Sequence, residues 1–82
     1  MPERLKTGRR VAGVSQTRRA IRADEVECVY IAEDADSVVT GSIVQLCRER
    51  ELELVSDVTM KRLGELCGLN VGAAAVALLK AN

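Results

Sequence analysis

Eighty-two residues, 48% of them hydrophobic, with a formal net charge of zero, describe one small globular domain, too short for a second core and too apolar for intrinsic disorder. A single aromatic residue, Tyr30, and no histidine leave an aliphatic core and exclude both recognition of single strands on stacked aromatic rings and histidine-based catalysis or metal binding. The zero sum hides a segregation: residues 1–22 carry +6, residues 23–58 carry −8 and residues 59–82 carry +2. The segregation points to a dipolar surface with one basic end suited to a polyanion, but on charge alone the plainer reading, bases and acids that interleave once folded, is favoured.

In chain order, MPERLKTGRR (1–10) is polar and basic and reads as a short helix or a frayed end. VAGV reads as a short strand, with Gly13 permitting a tight turn into the next element. From Ser15 a helical period takes over. At 100° per residue, Thr17, Ala20 and Ile21 share one face, while Ser15, Gln16, Arg18, Arg19 and Arg22 fill the opposite arc. Ser15 or a neighbour is expected to cap the start. Cys28 to Ala32 is a continuous apolar run ending in acids, the pattern of a central buried strand. DADS breaks it and supplies an N-cap at Asp36, with Ser37 at the first helical position. Val38, Val39, Ile43, Leu46 and Cys47 then follow at helical spacing as far as Glu49. LELVSDV reads as a strand. DVTMKRLGELCG reads as a short helix with Met60, Leu63 and Cys67 on one side and Gly68 as its stop. LNVG (69–72) is a loop. AAAVALLK has the alanine content of a helix, but three helix–strand pairs require a further buried strand, and small residues suit a crowded sheet centre, so a strand is expected. The alternation is that of an α/β sandwich with helices on both sheet faces.

The chemistry is mostly defined by what is missing. The chain has no Ser/His/Asp or Cys/His set, no phosphate-binding loop and no dinucleotide fingerprint. Glu33, Asp34 and Asp36 form an acidic strand end; a solvated turn and helix cap is the favoured reading over a Mg²⁺ site. Cys28, Cys47 and Cys67 lack the close pairing of zinc ligands and sit among apolar neighbours, as small buried hydrophobes of a reducing cytosol. No apolar run approaches the roughly 18 residues of a membrane span, and no leader pattern precedes a cleavage site. The expectation is a cytoplasmic, non-catalytic protein with no cofactor, no metal, no membrane contact and no small-molecule substrate.

GVSQTRRAI, VYIAEDADS and MKRLGELCGLNVGAAAVALL together, in order and spacing, resemble the kink-turn RNA-binding family of ribosomal proteins of the L-seven-Ae and L-thirty-e type, nearest to its short bacterial YbxF-like members. The resemblance covers residues 13–79. It implies a three-layer α/β/α sandwich with a mixed sheet of about four strands. It also implies binding of kink-turn RNA, in which a bulge sharply bends a helix beside sheared G·A pairs. The partners the resemblance implies are ribosomal or riboswitch RNA, with the ribosome as a further candidate. The family's first contact element is a Gly-x-Asn-Glu-x-x-Lys-like helix start. Carried over, Gly13 allows close backbone approach to RNA, Ser15 takes the Asn place, Gln16 the Glu place and Arg19 the Lys place. The second element is the loop before the last strand, here Leu69, Asn70, Val71 and Gly72, which in the family covers an extruded nucleotide; Asp36 stands at an acidic position near it. Ser37 stands where relatives often have Pro.

The residues support such a role on their own chemistry. Gln16 both gives and accepts hydrogen bonds at a guanine edge, and Arg19 reaches guanine acceptors or phosphate with two parallel donors. Arg22 adds charge on the same solvent-facing arc. A helix start presents backbone N–H groups and a positive dipole end to phosphate. Leu69 and Val71 offer aliphatic carbon to an unstacked base, with no aromatic ring required. For Ser15 and Gln16 the plainer alternative is capping and solvation. For Leu69 and Val71 it is a loop tucked into the core. At the level of function the alternative is a protein-interaction scaffold of the same fold without high-affinity RNA binding.

Overall fold

The apolar run expected as a buried strand extends to Val26–Ala32 and lies inside a four-stranded sheet. The structure, a computed structural model, describes residues 9–80. The expected short helix or frayed end falls largely outside the described residues; of its ten positions, Arg10 opens a strand. The elements are β1 (Arg10–Ala12), α1 (Val14–Arg22), β2 (Val26–Ala32), α2 (Ser37–Arg50), β3 (Glu53–Val58), α3 (Met60–Leu66) and β4 (Ala75–Leu79), the alternation that the sequence predicts.

Strand order is β1-β4-β2-β3. β4 runs antiparallel to both β1 and β2, and β3 runs parallel to β2, so the sheet is mixed and the two most apolar strands are central. Side chains alternate across it. Val29, Ile31, Ala75 and Ala77 face one way and pack with Ala20 and Ile21 of α1 and Ile43 and Cys47 of α2. Cys28, Tyr30, Ala32, Val76 and Leu78 face the other way and pack with Leu63 and Leu66 of α3. Two helices on one face and one on the other make the three-layer sandwich. Alanine at 75 and 77 faces the side that carries two helices, where small side chains let them approach. This is why an alanine-rich segment is a strand: hydrogen-bonded neighbours on both edges and burial on both faces override local helix propensity.

Three expectations need correction. α1 starts one residue earlier than expected, at Val14, and Ser15 does not cap it; Gly13 is the N-cap and no side chain closes the start. In α2 the buried residues are Thr40, Ile43 and Cys47, while Val38 is 87% and Val39 45% exposed. The Asp36 cap sets the helix phase: Val38 falls 140° round the wheel from Ile43, and Val39, though near the buried arc, lies in the first turn past the end of β2. Cys67 is only half-buried, unlike Cys28 and Cys47. None of the three forms a disulfide, and burial, with a smaller effect of Cys28, pushes the Cys47 thiol up from its ordinary value. Among the described residues, no helix is long and apolar enough to cross a membrane and no group of three or more His, Cys, Asp or Glu side chains is disposed to hold a metal ion.

Candidate nucleic-acid interface

The topology gathers the expected contact elements at one end of the sheet. β2 ends where β4 begins, with Ile31 opposite Ala75, and β1 ends beside the same point, with Ala12 opposite Val76. Hence the start of α1, the β2–α2 turn, the start of α3 and the loop at 69–74 all meet there. Backbone bonds pin them together. Gly13 N donates to Ala75 O at 2.8 Å, Ala32 N to Ala74 O at 2.9 Å, and Glu33 N to Val58 O at 2.7 Å. The two stretches singled out in the sequence, fifty-odd residues apart, become neighbours through the first of these bonds.

The helix starts differ. α2 is closed by Asp36, whose carboxylate accepts from Val38 N at 2.9 Å. α3 is closed twice: Thr59 Oγ1 accepts from Arg62 N at 3.1 Å, and the Asp34 carboxylate accepts from Met60 N at 2.8 Å. α1 has neither a capping side chain nor an acidic residue in its first turn. Its first intrahelical bond is Thr17 N to Gly13 O, so the amides of Val14, Ser15 and Gln16 have no acceptor within the helix. Gly13 sits at φ 106°, ψ 151°, a conformation that only glycine adopts without strain. The result is an exposed helix N-terminus with open donors and the positive end of the dipole, both suited to an anion.

On α1, Thr17, Ala20 and Ile21 are buried, and Ser15, Gln16, Arg19 and Arg22 are exposed, as the period predicts. Arg22 lies 20° and Arg19 40° from Ser15 on the wheel, so the three form one ridge. None of Ser15, Gln16, Arg19 and Arg22 has a side-chain partner among the described residues. Arg18 is different: half-buried, it leans toward α2 and donates to Ser42 Oγ at 3.4 Å. Among the described residues the bases are not gathered at one end. Arg10 lies at the far end of β1, opposite Leu78, and its guanidinium donates to Cys67 O at 3.3 Å. Meanwhile the acids Glu33, Asp34 and Asp36 lie at the end that holds the α1 start. Asp34 and Asp36 spend their negative charge on amides of α3 and α2, which lessens their repulsion of an anion at α1.

The loop is not tucked into the core. Leu69 is 40% and Val71 71% exposed, and Asn70 and Gly72 are exposed beside them. Its ends are held by α3: Leu69 N donates to Gly64 O at 2.8 Å and Ala73 N to Met60 O at 3.0 Å. Together with the first turn of α3 and Asp34, the loop walls a cleft of about 470 Å³. The exposed large hydrophobic side chains among the described residues are Val38, Val39, Leu69 and Val71, all at this end of the sheet. Helical spacing alone assigns Val38 and Val39 to the core. The signal for the correct placement is present in the chain: they are the second and third helical residues after the Asp36 cap, where a helix has only just left the strand end. Tyr30, the chain's one aromatic residue, is fully buried, so no ring is available for a base to stack on.

The chain matches the ribosomal protein L7Ae/L30e/S12e/Gadd45 family over residues 1–82. An RNA-binding protein of Bacillus pumilus is 39% identical over 69 residues, which are 84% of this chain and 84% of that one. The RNA-binding protein YbxF of Geobacillus stearothermophilus is 38% identical over 76 residues, 93% of each chain. Among solved structures, the Giardia lamblia 15.5kD RNA binding protein superposes with a TM-score of 0.90 at 20% identity, over 99% of this chain and 72% of that chain, a likeness of fold.

Proposed function

This chain belongs to the ribosomal protein L7Ae/L30e/S12e/Gadd45 family, and from that premise we propose that it is a cytoplasmic, non-catalytic RNA-binding protein that recognises and stabilises kink-turns, in ribosomal or riboswitch RNA, in association with the ribosome. The observation that carries the reading is the juxtaposition, through the Gly13–Ala75 bond, of an uncapped helix start with an exposed aliphatic loop. The open amides of α1 take a phosphate. Ser15, Gln16 and Arg19 meet base edges that a bent helix exposes and that a regular A-form groove hides. Arg22 extends the ridge along the backbone. Leu69 and Val71, with Asn70 and Gly72 beneath, cover an unstacked nucleotide; Asp36, already bonded to Val38 N, borders that nucleotide with one carboxylate oxygen to spare. Binding shifts the RNA toward its kinked state because the protein's contacts exist only in that state.

The test is a gel shift or calorimetric titration with a kink-turn RNA and with the same helix lacking its bulge. The kink-turn is expected to bind far more tightly, with an affinity that falls as salt rises. Equal affinities would reduce the protein to a general polyanion binder. Indifference to both RNAs, with a stable protein complex isolated instead, would favour the interaction scaffold.

A further inference from the structure

Gly64 lies buried in α3, with no side chain to contribute to the core. A Cβ built there would clash with the Val71 carbonyl oxygen, well inside van der Waals contact distance, and would lie 3.0 Å from Val71 C and 3.2 Å from Gly72 Cα. These atoms are backbone and have no rotamer with which to escape. The loop therefore lies flush on the helix only because residue 64 is glycine. Its remaining attachments are on either side of this contact: Leu69 N bonds to Gly64 O, and Ala73 N to Met60 O. With its carbonyl against α3, Val71 keeps its side chain outward, 71% exposed. At the other end of the loop, a Cβ on Gly72 would come within 3.1 Å of Met60 Cβ and 3.3 Å of the Met60 carbonyl.

We infer that Gly64 is a positioning residue for RNA recognition: it touches no RNA, and by letting the Leu69–Gly72 backbone seat on α3 it holds Leu69 and Val71, before RNA arrives, at the height where they cover the unstacked nucleotide. The inference rests on the kink-turn reading above. A methyl group at 64 lifts the loop by roughly 1 Å, a displacement large enough to spoil a preorganised contact. The charged ridge on α1, on the other face of the sheet, is untouched. Shape-specific and charge-driven binding then separate: the first is lost and the second stays.

The experiment compares the wild-type chain and Gly64→Ala on a kink-turn RNA carrying 2-aminopurine at the bulged position, and on the unbulged helix, at two salt concentrations, with far-UV circular dichroism as the check on folding. The expected result is a loss of about tenfold or more on the kink-turn and loss of the fluorescence change that marks the covered base. Affinity for the unbulged helix and the salt slope should stay as in wild type. A folded Gly64→Ala with wild-type affinity and fluorescence response overturns the inference while leaving the kink-turn reading intact, and so does an equal loss on both RNAs. A wild-type chain that does not distinguish the two RNAs overturns both, and is recognised without any variant. If Gly64→Ala does not fold, Gly72→Ala, with its milder contact, should show the same signature at smaller amplitude, and its absence overturns the inference. Hydrogen exchange on the RNA-free protein decides the matter independently: the Leu69 and Ala73 amides should be protected, and exchange at the rate of an open loop would show that nothing holds it.

Discussion

The helices α1 and α2 both start at the same end of the sheet, and their first turns are closed differently. In α1 and in α2 the fourth helical residue is a buried threonine, Thr17 or Thr40, whose amide donates to the N-cap carbonyl, at 2.9 Å and 3.1 Å. In α2 the cap is Asp36, extended at φ −62°, with its carboxylate on Val38 N, and Thr40 Oγ1 donates back to Asp36 O at 3.4 Å. In α1 the cap is Gly13, at positive φ, with no side chain, and the buried Thr17 Oγ1 has no partner. The closed start is the locally favourable arrangement, since an N-cap side chain contributes about 1 kcal/mol and a buried unpaired hydroxyl costs about as much. α1 lacks the cap and carries the unpaired hydroxyl. Departures from local preference concentrate where a site needs exposed donors or a particular backbone shape, and here they fall on the helix that carries Arg19 and Arg22, which have no side-chain partner among the described residues.

The sharpest way to break the comparison is at the two caps. Gly13→Ala should lower stability by about 1–3 kcal/mol, because φ 106° is strained for any side chain. No atom lies within 4 Å of the added Cβ, so crowding contributes nothing. Chemical denaturation measures it, and a wild-type midpoint would show that the positive φ is not enforced. Next in size is Arg19→Ala, which should weaken kink-turn binding by about 1–3 kcal/mol if the guanidinium meets a base edge. Arg18→Ala, at a residue leaning on Ser42, should cost less and mainly reduce the salt slope. Titration of both variants at two salt concentrations separates them, and reversed magnitudes mean that RNA lies along the α1–α2 groove instead of the Ser15 ridge.

Gln16→Glu comes third. It restores a charged acceptor at the third helical position, and charged hydrogen bonds contribute about 1.5–3 kcal/mol against about 1 for neutral ones, so kink-turn binding should tighten by up to roughly tenfold. The new carboxylate has no reciprocal cap to form with the Gly13 amide, which already donates to Ala75 O. Weaker binding at both low and high salt would mean that residue 16 does not face a guanine. Asp36→Ala should lower stability by about 1 kcal/mol through loss of the α2 cap, whereas Asp36→Asn should stay within a few tenths, since Asn caps as well. A difference between the two variants in RNA affinity, at matched stability, would isolate the carboxylate charge from the cap. The smallest effect is Thr17→Val, expected to raise stability by up to about 1 kcal/mol by removing an unpaired buried hydroxyl. Thr40→Val, which removes a bonded one, should give no gain. Equal shifts in melting temperature for the pair would erase the distinction between the two starts.

The elements and their order were legible because each carries a local signal: the three-residue and four-residue spacing of Thr17, Ala20 and Ile21, the unbroken run at 28–32, the Asp36 cap, the Gly68 stop at φ 74°. The ridge of Ser15, Arg19 and Arg22 and the loop at 69–72 were legible for the same reason, as faces and breaks of a local pattern. β4 was reachable only by counting elements, because its alanines favour helix in isolation. Local pattern erred at Val38, Val39 and Ser15, where hydrophobicity and hydroxyl chemistry suggested core and cap.

What the chain alone determined is therefore periodicity and stopping points, since these depend on residues within one or two turns of each other. What tertiary structure decided is adjacency. Only the sheet order brings the Gly13 amide to Ala75 O and the loop of residues 69–72 beside the α1 start. Only the seating of Val71 on α3 shows why residue 64 has no side chain. Each depends on contacts between residues distant in sequence, which a local pattern does not encode and which burial and backbone pairing settle together.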